Sequence, residues 1–289
     1  MDLFGQLVIN GLIIGITYSI IALGLTLIFG ILGIINFAHG EFYMLGAFGS
    51  FVLQESLGLN YFFSGLLSII IIVFLAWFIE HYALSPLIGA EHLNSLLATF
   101  GISIIIVNAF QLIYGTTPRQ ISTPFEGVVH VGNVYITGQK IFVVLAGLLV
   151  IFIVYLFIKY NRLGKIMRAV SQNSMGAMVS GIPIKRIYKF TFIFGVSLAC
   201  FAGFLIGPTT YVTPNMGMSA MLKGFIIVIL GGLGSVPGAI IGGLLLGIVE
   251  TAGSYVVGND WKELIGFLML ILVLIIRPQG IFGVRRRTQ

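Results

Sequence analysis

Three polar side chains stand close together near the start of the chain, in the stretch GILGIINFAHGEFYMLGAF. Asn36, His39 and Glu41 fall within six residues and are flanked by long apolar runs. Gly30 and Gly33, just before them, interrupt what would otherwise be a continuous apolar helix. Polar groups are costly in lipid, and ionisable residues inside membrane segments usually mark a substrate or ion pathway. We therefore predict that Asn36, His39 and Glu41 line a translocation path.

A second polar series lies in the apolar run from Leu93 to Tyr114. Thr99, Ser103, Asn108 and Gln111 recur there near helical spacing. Such spacing places several of them on one face of a helix, as the lining of a hydrated cavity requires. We add Thr99, Ser103 and Asn108 to the predicted path. Hydrogen bonding between helices is the alternative, and it is favoured for Thr99 and Ser103.

Glycines also interrupt the second half of the chain. In LGGLGSVPGA, Gly231 and Gly234 repeat the spacing of Gly30 and Gly33. Broken helices at matching positions of two related halves indicate a transporter whose path lies near the bilayer midplane, and Gly231 and Gly234 are therefore included in the predicted path. The alternative is that these glycines only allow helices to pack closely.

Motifs for catalysis are missing from the sequence. It holds no His-Glu-x-x-His zinc motif, no Gly-x-Ser-x-Gly nucleophile elbow and no Gly-x-x-x-x-Gly-Lys-Ser/Thr phosphate loop. His39 and Glu41 would supply only two ligands, whereas a zinc site needs three or four. The single cysteine, Cys200, excludes an intrachain disulfide. We predict a protein without catalytic residues, metal or cofactor, in which any ATP-driven work is done by a partner.

Composition indicates how these polar residues are held. Hydrophobic residues make up 58% of the 289 residues, charged residues 8%, and the mean hydropathy is +1.10. A chain of this kind is predicted to be an all-α polytopic membrane protein with one transmembrane domain over residues 1–289. At roughly 20 residues a span, about eight or nine transmembrane helices fit. The net charge of +6 resides in a middle loop and the tail Arg285–Arg287, which favours contact with lipid headgroups over nucleic acid.

The middle loop, residues 159–189, holds seven of the fifteen basic residues and no acidic one. Such an excess predicts a cytoplasmic loop. Residues 162–171 have the composition of a short helix, Asn173 or Ser174 can cap a second one, Gly181 favours a helix stop, and Pro183 suits the first turn of the next helix. A face of small residues favours docking in a groove of another protein over a plain structured connector; its members are Ala169, Gly176, Ala177, Ser180 and Gly181.

Residues 115–139 have a different character, rich in Thr, Pro and Gly, with a hairpin-like alternating patch at residues 129–136. One span separates them from the basic loop, so we predict that they form an external loop. Two charged residues inside later apolar runs are interpreted separately. Lys223 is expected to snorkel to the headgroups, and Glu250 to reach the outer headgroup region.

Four stretches, taken in order, resemble the integral membrane permeases of branched-chain amino acid ABC importers. They are GLTLIFGILGIINFAHGEFYMLGA, LGKIMRAVSQNSMGAMVSGI, GFIIVILGGLGSVPGAIIGGLLLGIVE and LVLIIRPQGIFG. The resemblance covers nearly the whole chain and is strongest to the shorter of the two permeases that such importers pair. Permeases for urea, short amides and other amino acids look similar, so the substrate stays open.

The resemblance implies a multi-pass permease of the bacterial cytoplasmic (inner) membrane. It also implies two ATP-binding subunits at the cytoplasmic face, a second permease that is a paralogue of this chain, and a soluble substrate-binding protein outside. External contacts are expected at residues 115–139 and 208–218. In the family the basic loop couples the permease to ATP hydrolysis, and the matching positions are Gly164, Arg168, Ala169, Ala177, Gly181 and Ile182. The alternative from a different class is an ion-coupled carrier or channel that titrates Glu41 and needs no ATPase.

Overall fold

The computed structural model describes residues 2–89, 91–131 and 134–283, and these are mainly helical. The tail Arg285–Arg287, used above to argue for lipid contact, lies outside the described residues. One short hairpin of strands β1 (Val128–Val131) and β2 (Val134–Thr137) accompanies the helices. The α-helices of the described part are α1 (Asp2–Leu32), α2 (His39–Leu57), α3 (Tyr61–Ile79), α4 (His92–Tyr114), α5 (Gly138–Tyr160), α6 (Arg162–Gln172), α7 (Ser174–Val179), α8 (Ile184–Ile206), α9 (Met216–Gly231), α10 (Val236–Val257) and α11 (Lys262–Ile276).

Six of these helices are long and apolar enough to cross a membrane: α1, α3, α4, α5, α8 and α10. This confirms the predicted all-α polytopic class. The helices α2, α9 and α11 are shorter or less apolar. With 16 residues, α9 spans about 24 Å, which is less than the roughly 30 Å of a hydrocarbon core.

The centre of the bundle is built from α1 and α8 together with α2. In the most apolar 18-residue stretch of each helix, 78% of the residues of α1 and 72% of those of α8 are buried, whereas only 11% are buried in α4. The outer face of α4 exposes large apolar side chains. Glycines allow the central helices to touch. A methyl group at Gly24 of α1 would overlap the carbonyl oxygen of Gly195 in α8. Close backbone approach of this kind is how helices gain packing energy in lipid, where burial of apolar area contributes little.

The helix ends gather at two opposite faces of the bundle. The face that carries α6 and α7 is called the basic end. There, Glu80, just after α3, pairs with Lys189 of α8 at 3.4 Å. The backbone N–H of Ile281, after α11, donates to Leu230 at the end of α9 at 2.8 Å. These contacts place the ends of α3, α9 and α11 and the start of α8 on one face.

The opposite face is called the hairpin end because β1 and β2 lie there. The side chain of Gln6 in α1 bonds the backbone of Tyr135 in β2. Farther along, the backbone N–H of Arg119 donates to Val212 at 2.9 Å, which joins the loop after α4 to the segment after α8. Counted together with the shorter α2, α9 and α11, the membrane-embedded helices therefore alternate in direction between the two ends. Residues 115–137 lie on the face opposite to α6 and α7, as the alternation of spans predicts.

The short helices of the basic loop form where the sequence predicts them. Residue Asn173 caps α7 by accepting a hydrogen bond from the backbone N–H of Gly176 at 2.8 Å. Gly181 adopts a φ of 80°, the left-handed stop that glycine makes accessible. Pro183 differs from expectation, because it is the residue that precedes α8 and does not lie in its first turn.

Candidate translocation site

The start of α2 lies inside the bundle and not at its surface. The chain leaves α1 after Leu32, where Gly33 takes a φ of 72°, and residues 33–38 lead back along α1. At the start of α2, the Nε2 atom of His39 is 3.1 Å from the carbonyl oxygen of Ile21. Ile21 lies eleven residues before the end of α1, which corresponds to about 16 Å of helix. The first turn of α2 is therefore deep within the helical layer.

The start of α9 meets the start of α2 at this depth. After α8, residues 207–215 form a 3-10 turn and irregular chain before α9 begins at Met216. A methyl group at Gly40 of α2 would overlap the carbonyl oxygen of Gly217 in α9. The same methyl would lie 2.8 Å from Cβ of Met221. From this contact α2 leads to the hairpin end and α9 to the basic end, so the first turns of the two helices lie side by side inside the bundle.

A sequence signal for this meeting point exists and was missed. Residues 40–48, GEFYMLGAF, and residues 217–225, GMSAMLKGF, share the pattern Gly-x-x-x-Met-Leu-x-x-Phe. Both copies begin at the second residue of a helix that starts within the bundle. The two copies are hard to recognise, because the residues between the shared positions differ.

The glycines that were compared in the sequence lie elsewhere. A methyl at Gly30 would lie 2.9 Å from Cα of Gly234, so these two glycines pack together at the basic end. Gly231 packs on the backbone of Gly238 where α9 turns into α10. The structure thus does not bring Gly231 and Gly234 to Asn36, His39 and Glu41. Their contacts are those of the close-packing alternative.

Five of the predicted path residues are buried at the start of α2, in the segment before it, or on the side of α4 that contacts these two; they are called the polar cluster: Asn36, His39, Glu41, Thr99 and Ser103. Each is 6% exposed or less. The Ser103 hydroxyl donates to Oε1 of Glu41 at 2.9 Å.

Thr99 holds the segment between α1 and α2 against α4. Its hydroxyl donates to the carbonyl oxygen of Ile35 and accepts from the backbone N–H of Phe37, both at 3.2 Å. Helix α4 therefore anchors residues 33–38 in the bundle. The alternative of hydrogen bonding between elements, favoured for Thr99 and Ser103, describes both side chains.

Several atoms of the polar cluster have unused hydrogen-bonding capacity. Both polar atoms of the Asn36 side chain, Nδ1 of His39 and Oε2 of Glu41 are buried without a hydrogen-bond partner. Leaving such a group unsatisfied costs on the order of 1–3 kcal/mol, so buried polar atoms without partners call for an explanation. Among the described residues no group of three or more His, Cys, Asp or Glu side chains could hold a metal ion. The free atoms are suited to hydrogen bonding with a polar molecule.

Two other polar residues of α4, Asn108 and Gln111, lie outside the polar cluster. Asn108 is exposed and donates to the carbonyl oxygen of Ile104 in its own helix at 2.8 Å. The structure therefore does not place Asn108 with the polar cluster. The Gln111 side chain donates at 2.8 Å to Asn215, the residue before α9. Sequence reasoning missed Asn215, although its place just before a glycine-containing helix start is the signal by which it can be recognised.

A cavity of about 600 Å³ extends from the basic end toward the polar cluster. Its lining includes Ile34, which lies two residues before Asn36, and Ser95, which lies one helical turn before Thr99. Met175 and Met178 of α7 form part of its wall. Pockets of this size accommodate small molecules. The basic loop therefore borders a cavity whose lining comes within one helical turn of Thr99 and includes no residue of the polar cluster.

Lys223 and Glu250 form a buried ion pair, so both sequence interpretations of these residues are wrong. Lys223 is 5% exposed and Glu250 is fully buried, and neither reaches the headgroup region. The hydroxyl of Tyr18 donates to the other carboxylate oxygen of Glu250 at 3.0 Å. The pair and Tyr18 tie α9, α10 and α1 together. Mutual burial explains why neither charge needs to reach water.

The residues matched to ATPase coupling divide into two groups. Gly164 and Ala177 are buried, and Gly164 packs on the backbone of Phe157 and Ile158. Ala169 and Gly181 are exposed and Ile182 is partly exposed. Arg168 is exposed as well, and its guanidinium donates to the carbonyl oxygen of Lys159 at 3.1 Å. Gly164 and Ala177 thus shape the loop from within.

The outward surface of the loop is more apolar than its sequence pattern indicates. Val179 is 83% exposed, Met175 64% and Met178 53%. Exposed apolar side chains on a loop between basic residues mark an interaction surface. These three residues were not singled out in the sequence, because their exposure depends on which face of α7 packs inward.

A bundle of spanning helices with two helix starts that meet at a buried polar cluster defines a membrane transport protein. The comparisons identify the family. The family model described as "Branched-chain amino acid transport system / permease component" matches residues 7–274, and the chain belongs to that family.

Two curated relatives cover nearly the full length of the chain. The high-affinity branched-chain amino acid transport system permease protein LivH of Escherichia coli K12 is 35% identical, over 97% of this chain and 96% of the relative. The corresponding protein BraD of Pseudomonas aeruginosa is 37% identical, over 96% and 95%. Among solved structures, PsaBC from Streptococcus pneumoniae in complex with Fab aligns with a TM-score of 0.55, 11% identity, and coverage of 93% and 91%. That likeness shows the fold alone.

Several properties of the family apply to this chain. It is a transport subunit and a multi-pass protein of the inner membrane. Membership also implies association with ATP-binding subunits and with a substrate-binding protein.

Proposed function

We propose that this chain forms the translocation path for branched-chain amino acids in an ABC importer whose separate subunits hydrolyse ATP. The names of the relatives support the substrate class. The observation that carries the proposal is the polar cluster, which lies where the starts of α2 and α9 meet and which has unused hydrogen-bonding atoms.

The chemistry of this meeting point suits a zwitterion. Two helix N-termini supply positive potential and favour a carboxylate. The free Oε2 atom of Glu41 is an acceptor for an ammonium group. The cavity that approaches through Ile34 provides apolar walls for a branched side chain. Urea and short amides carry no carboxylate, so they would gain less from the helix N-termini.

The proposed topology has nine membrane-embedded helices in two related halves, α1–α4 and α8–α11, with α5 and the basic loop between them. The shared Gly-x-x-x-Met-Leu-x-x-Phe pattern at the start of α2 and α9 supports this division. The basic end faces the cytoplasm, and residues 159–189 are the coupling loop. The hairpin end faces outward, where residues 115–139 and the first part of 208–218 meet the substrate-binding protein. The expectation fails for residues 216–218, because they form the start of α9 inside the bundle. A paralogous permease and two ATP-binding subunits complete the complex.

This topology predicts how single cysteines react with a membrane-impermeant thiol reagent. The only native cysteine, Cys200, is fully buried and gives little background. In intact cells, Gln172→Cys should stay unlabelled, while Glu126→Cys should react. Glu126 is preferred over its neighbour Gly127 because Gly127 has a φ of 108° that a cysteine would strain. A cysteine at Thr288, outside the described residues, is also expected to be protected.

Permeabilised cells provide the control, since both cysteines are exposed and should react there. Labelling of position 172 from outside an intact cell would reverse the assigned sidedness.

The proposed coupling mechanism is mechanical. The ATP-binding subunits dock on the outward surface of α7, and their closure moves the loop. Since Met175 and Met178 also border the cavity below Ile34, movement of α7 changes the access of the polar cluster from the basic end. Binding of the ATP-binding subunits at the surface of α7 is thus linked to opening of the cavity at the basic end.

The test of this function is the variant Val179→Asp in the reconstituted complex. A charge at a residue that is 83% exposed should leave the permease folded, but a buried apolar contact with the ATPase would be lost. We expect retention of the ATPase in pull-down to weaken by roughly 30-fold, and substrate-stimulated ATP hydrolysis and uptake to fall with it.

Val256→Asp is the matched control, because Val256 is 80% exposed at the hairpin end of α10, and ATPase retention should be unchanged. Ala177→Trp tests folding of the loop and not docking, since Ala177 is buried. Unchanged ATPase retention and coupling in Val179→Asp would contradict the assigned docking surface. Uptake that persists without any ATP-binding subunit would favour the ion-coupled carrier instead.

A further inference from the structure

A second cavity, of about 360 Å³, lies at the basic end and is separate from the polar cluster. It is enclosed by the last turns of α1 and α5, by α6 and by the start of α10. Its polar lining includes Thr26, Lys159 and Arg168. The translocation path proposed above does not use these three side chains together.

Thr26 shows that the cavity is built to receive a polar group. The threonine is 1% exposed, and its hydroxyl has no hydrogen-bond partner among the residues that the structure describes. Buried threonines in these helices normally donate to the carbonyl four residues earlier, as Thr17 does to Ile13 and Thr191 to Ile187. A hydroxyl that lacks this bond and lines a cavity is available to a bound molecule.

The charge of the cavity favours an anion. Lys159 and Arg168 both line it, and no acidic residue of the described part of the chain does. The 22-residue helix α10 also starts here, with Ser235 as its N-cap and Pro237 in its first turn, and its dipole adds positive potential. A zwitterionic amino acid would leave its ammonium group beside two cations without an acidic partner, so the transported substrate is a poor fit.

Most of the remaining lining is apolar. Leu27, Ile31, Ile158, Met167 and Val236 contribute it. A small inorganic anion would leave this apolar surface unused. The ligand that matches both parts has an anionic phosphate and a hydrocarbon chain.

We propose that this cavity is a binding site for an anionic phospholipid of the cytoplasmic leaflet. The phosphate lies between Lys159 and Arg168 with the Thr26 hydroxyl as an additional donor, and an acyl chain packs along α1 and α5. Basic pockets at the cytoplasmic ends of transmembrane helices bind such headgroups. The lipid joins α6 of the coupling loop to α1 and α10. The leaflet rests on the sidedness proposed above, whereas the binding itself does not.

The experiment uses the purified complex in neutral detergent after lipid removal. Its thermal midpoint and the number of retained lipids by native mass spectrometry are measured with phosphatidylglycerol, phosphatidylcholine and inorganic phosphate. We expect phosphatidylglycerol to bind and raise the midpoint, and the other two to have little effect. Lys159→Gln should weaken phosphatidylglycerol binding about tenfold and Thr26→Val about threefold, in line with a charged and a neutral hydrogen bond.

Two variants serve as matched controls. Thr26→Ser keeps the hydroxyl and should bind like the wild type. Lys165→Gln removes an exposed lysine of the same loop that does not line the cavity, and should change binding less than twofold. If Lys159→Gln and Lys165→Gln weakened phosphatidylglycerol binding equally, the lipid would respond only to the general surface charge of the loop. That result would overturn the site.

The remaining outcomes also decide the proposal. Equal binding of phosphatidylcholine would overturn the requirement for an anion, and displacement of phosphatidylglycerol by inorganic phosphate would identify a soluble anion as the ligand. Uptake is measured in parallel in each variant. Normal uptake with lost lipid binding would leave the transport function intact, and normal lipid binding with no branched-chain amino acid uptake would leave the lipid site intact.

Discussion

Replacement of Asn36 by leucine is expected to lower the initial rate of branched-chain amino acid uptake by about tenfold or more, while the amount of folded complex stays the same. The Asn36 side chain is fully buried, and neither of its polar atoms has a hydrogen-bond partner within residues 2–89, 91–131 and 134–283. Leucine has a similar volume. Removing a buried polar group without partners does not sacrifice a hydrogen bond within the protein, so stability should be kept or improved. A loss of uptake at unchanged stability would then show that Asn36 takes part in the substrate path.

The measurement is uptake into proteoliposomes, normalised to complex quantified by size-exclusion chromatography. Asn108→Leu is the matched control, since it makes the same replacement at an exposed position whose side chain bonds only its own helix. We expect its uptake to change less than twofold. A parallel loss of protein and uptake in Asn36→Leu would favour a packing role, and normal uptake would remove Asn36 from the path.

Replacement of Lys223 by methionine is expected to have the largest effect on stability. It would leave the carboxylate of Glu250 fully buried, and among the described residues the Tyr18 hydroxyl would be its one remaining hydrogen-bond partner. Removing one member of a buried ion pair typically costs about 3–5 kcal/mol, whereas removing both charges can be nearly neutral. Most of the folded chain should therefore be lost in Lys223→Met and recovered in Lys223→Met combined with Glu250→Gln.

Folded protein is measured by fluorescence-detected size-exclusion chromatography after heating at a series of temperatures. Lys165→Met, at an exposed lysine of the basic loop, is the control and should retain the wild-type midpoint. If the Lys223 and Glu250 variants were equally destabilising alone and simply additive together, the two charges would not be stabilising each other.

Much of the architecture is determined by local features of the sequence. The apolar run from Leu93 to Tyr114 differs from α4 by one residue, and so does the predicted loop helix at residues 162–171 from α6. The hairpin at residues 129–136 is likewise present. Apolar length, helix caps and the distribution of basic residues act on neighbouring positions, so one sequence is enough to locate the helices and their class.

Polar residues inside an apolar run carry a cost wherever the helix lies, and this reasoning singled out Asn36, His39 and Glu41 as path residues. The structure buries all three, and Ser103 of α4 bonds Glu41. Their part in a path stays a prediction. The reasoning failed for Asn108, because spacing along α4 alone does not reveal which face of that helix meets the bundle.

Only the tertiary structure decided which helices meet. The contact of Gly40 with Gly217 and the pair of Lys223 with Glu250 join segments that are distant along the chain. In a membrane most of these helices are apolar on every side, so hydrophobic periodicity does not distinguish a face that packs on protein from a face that contacts lipid. Close contact between small residues and pairing of buried charges select the neighbours, and both depend on two distant segments at once.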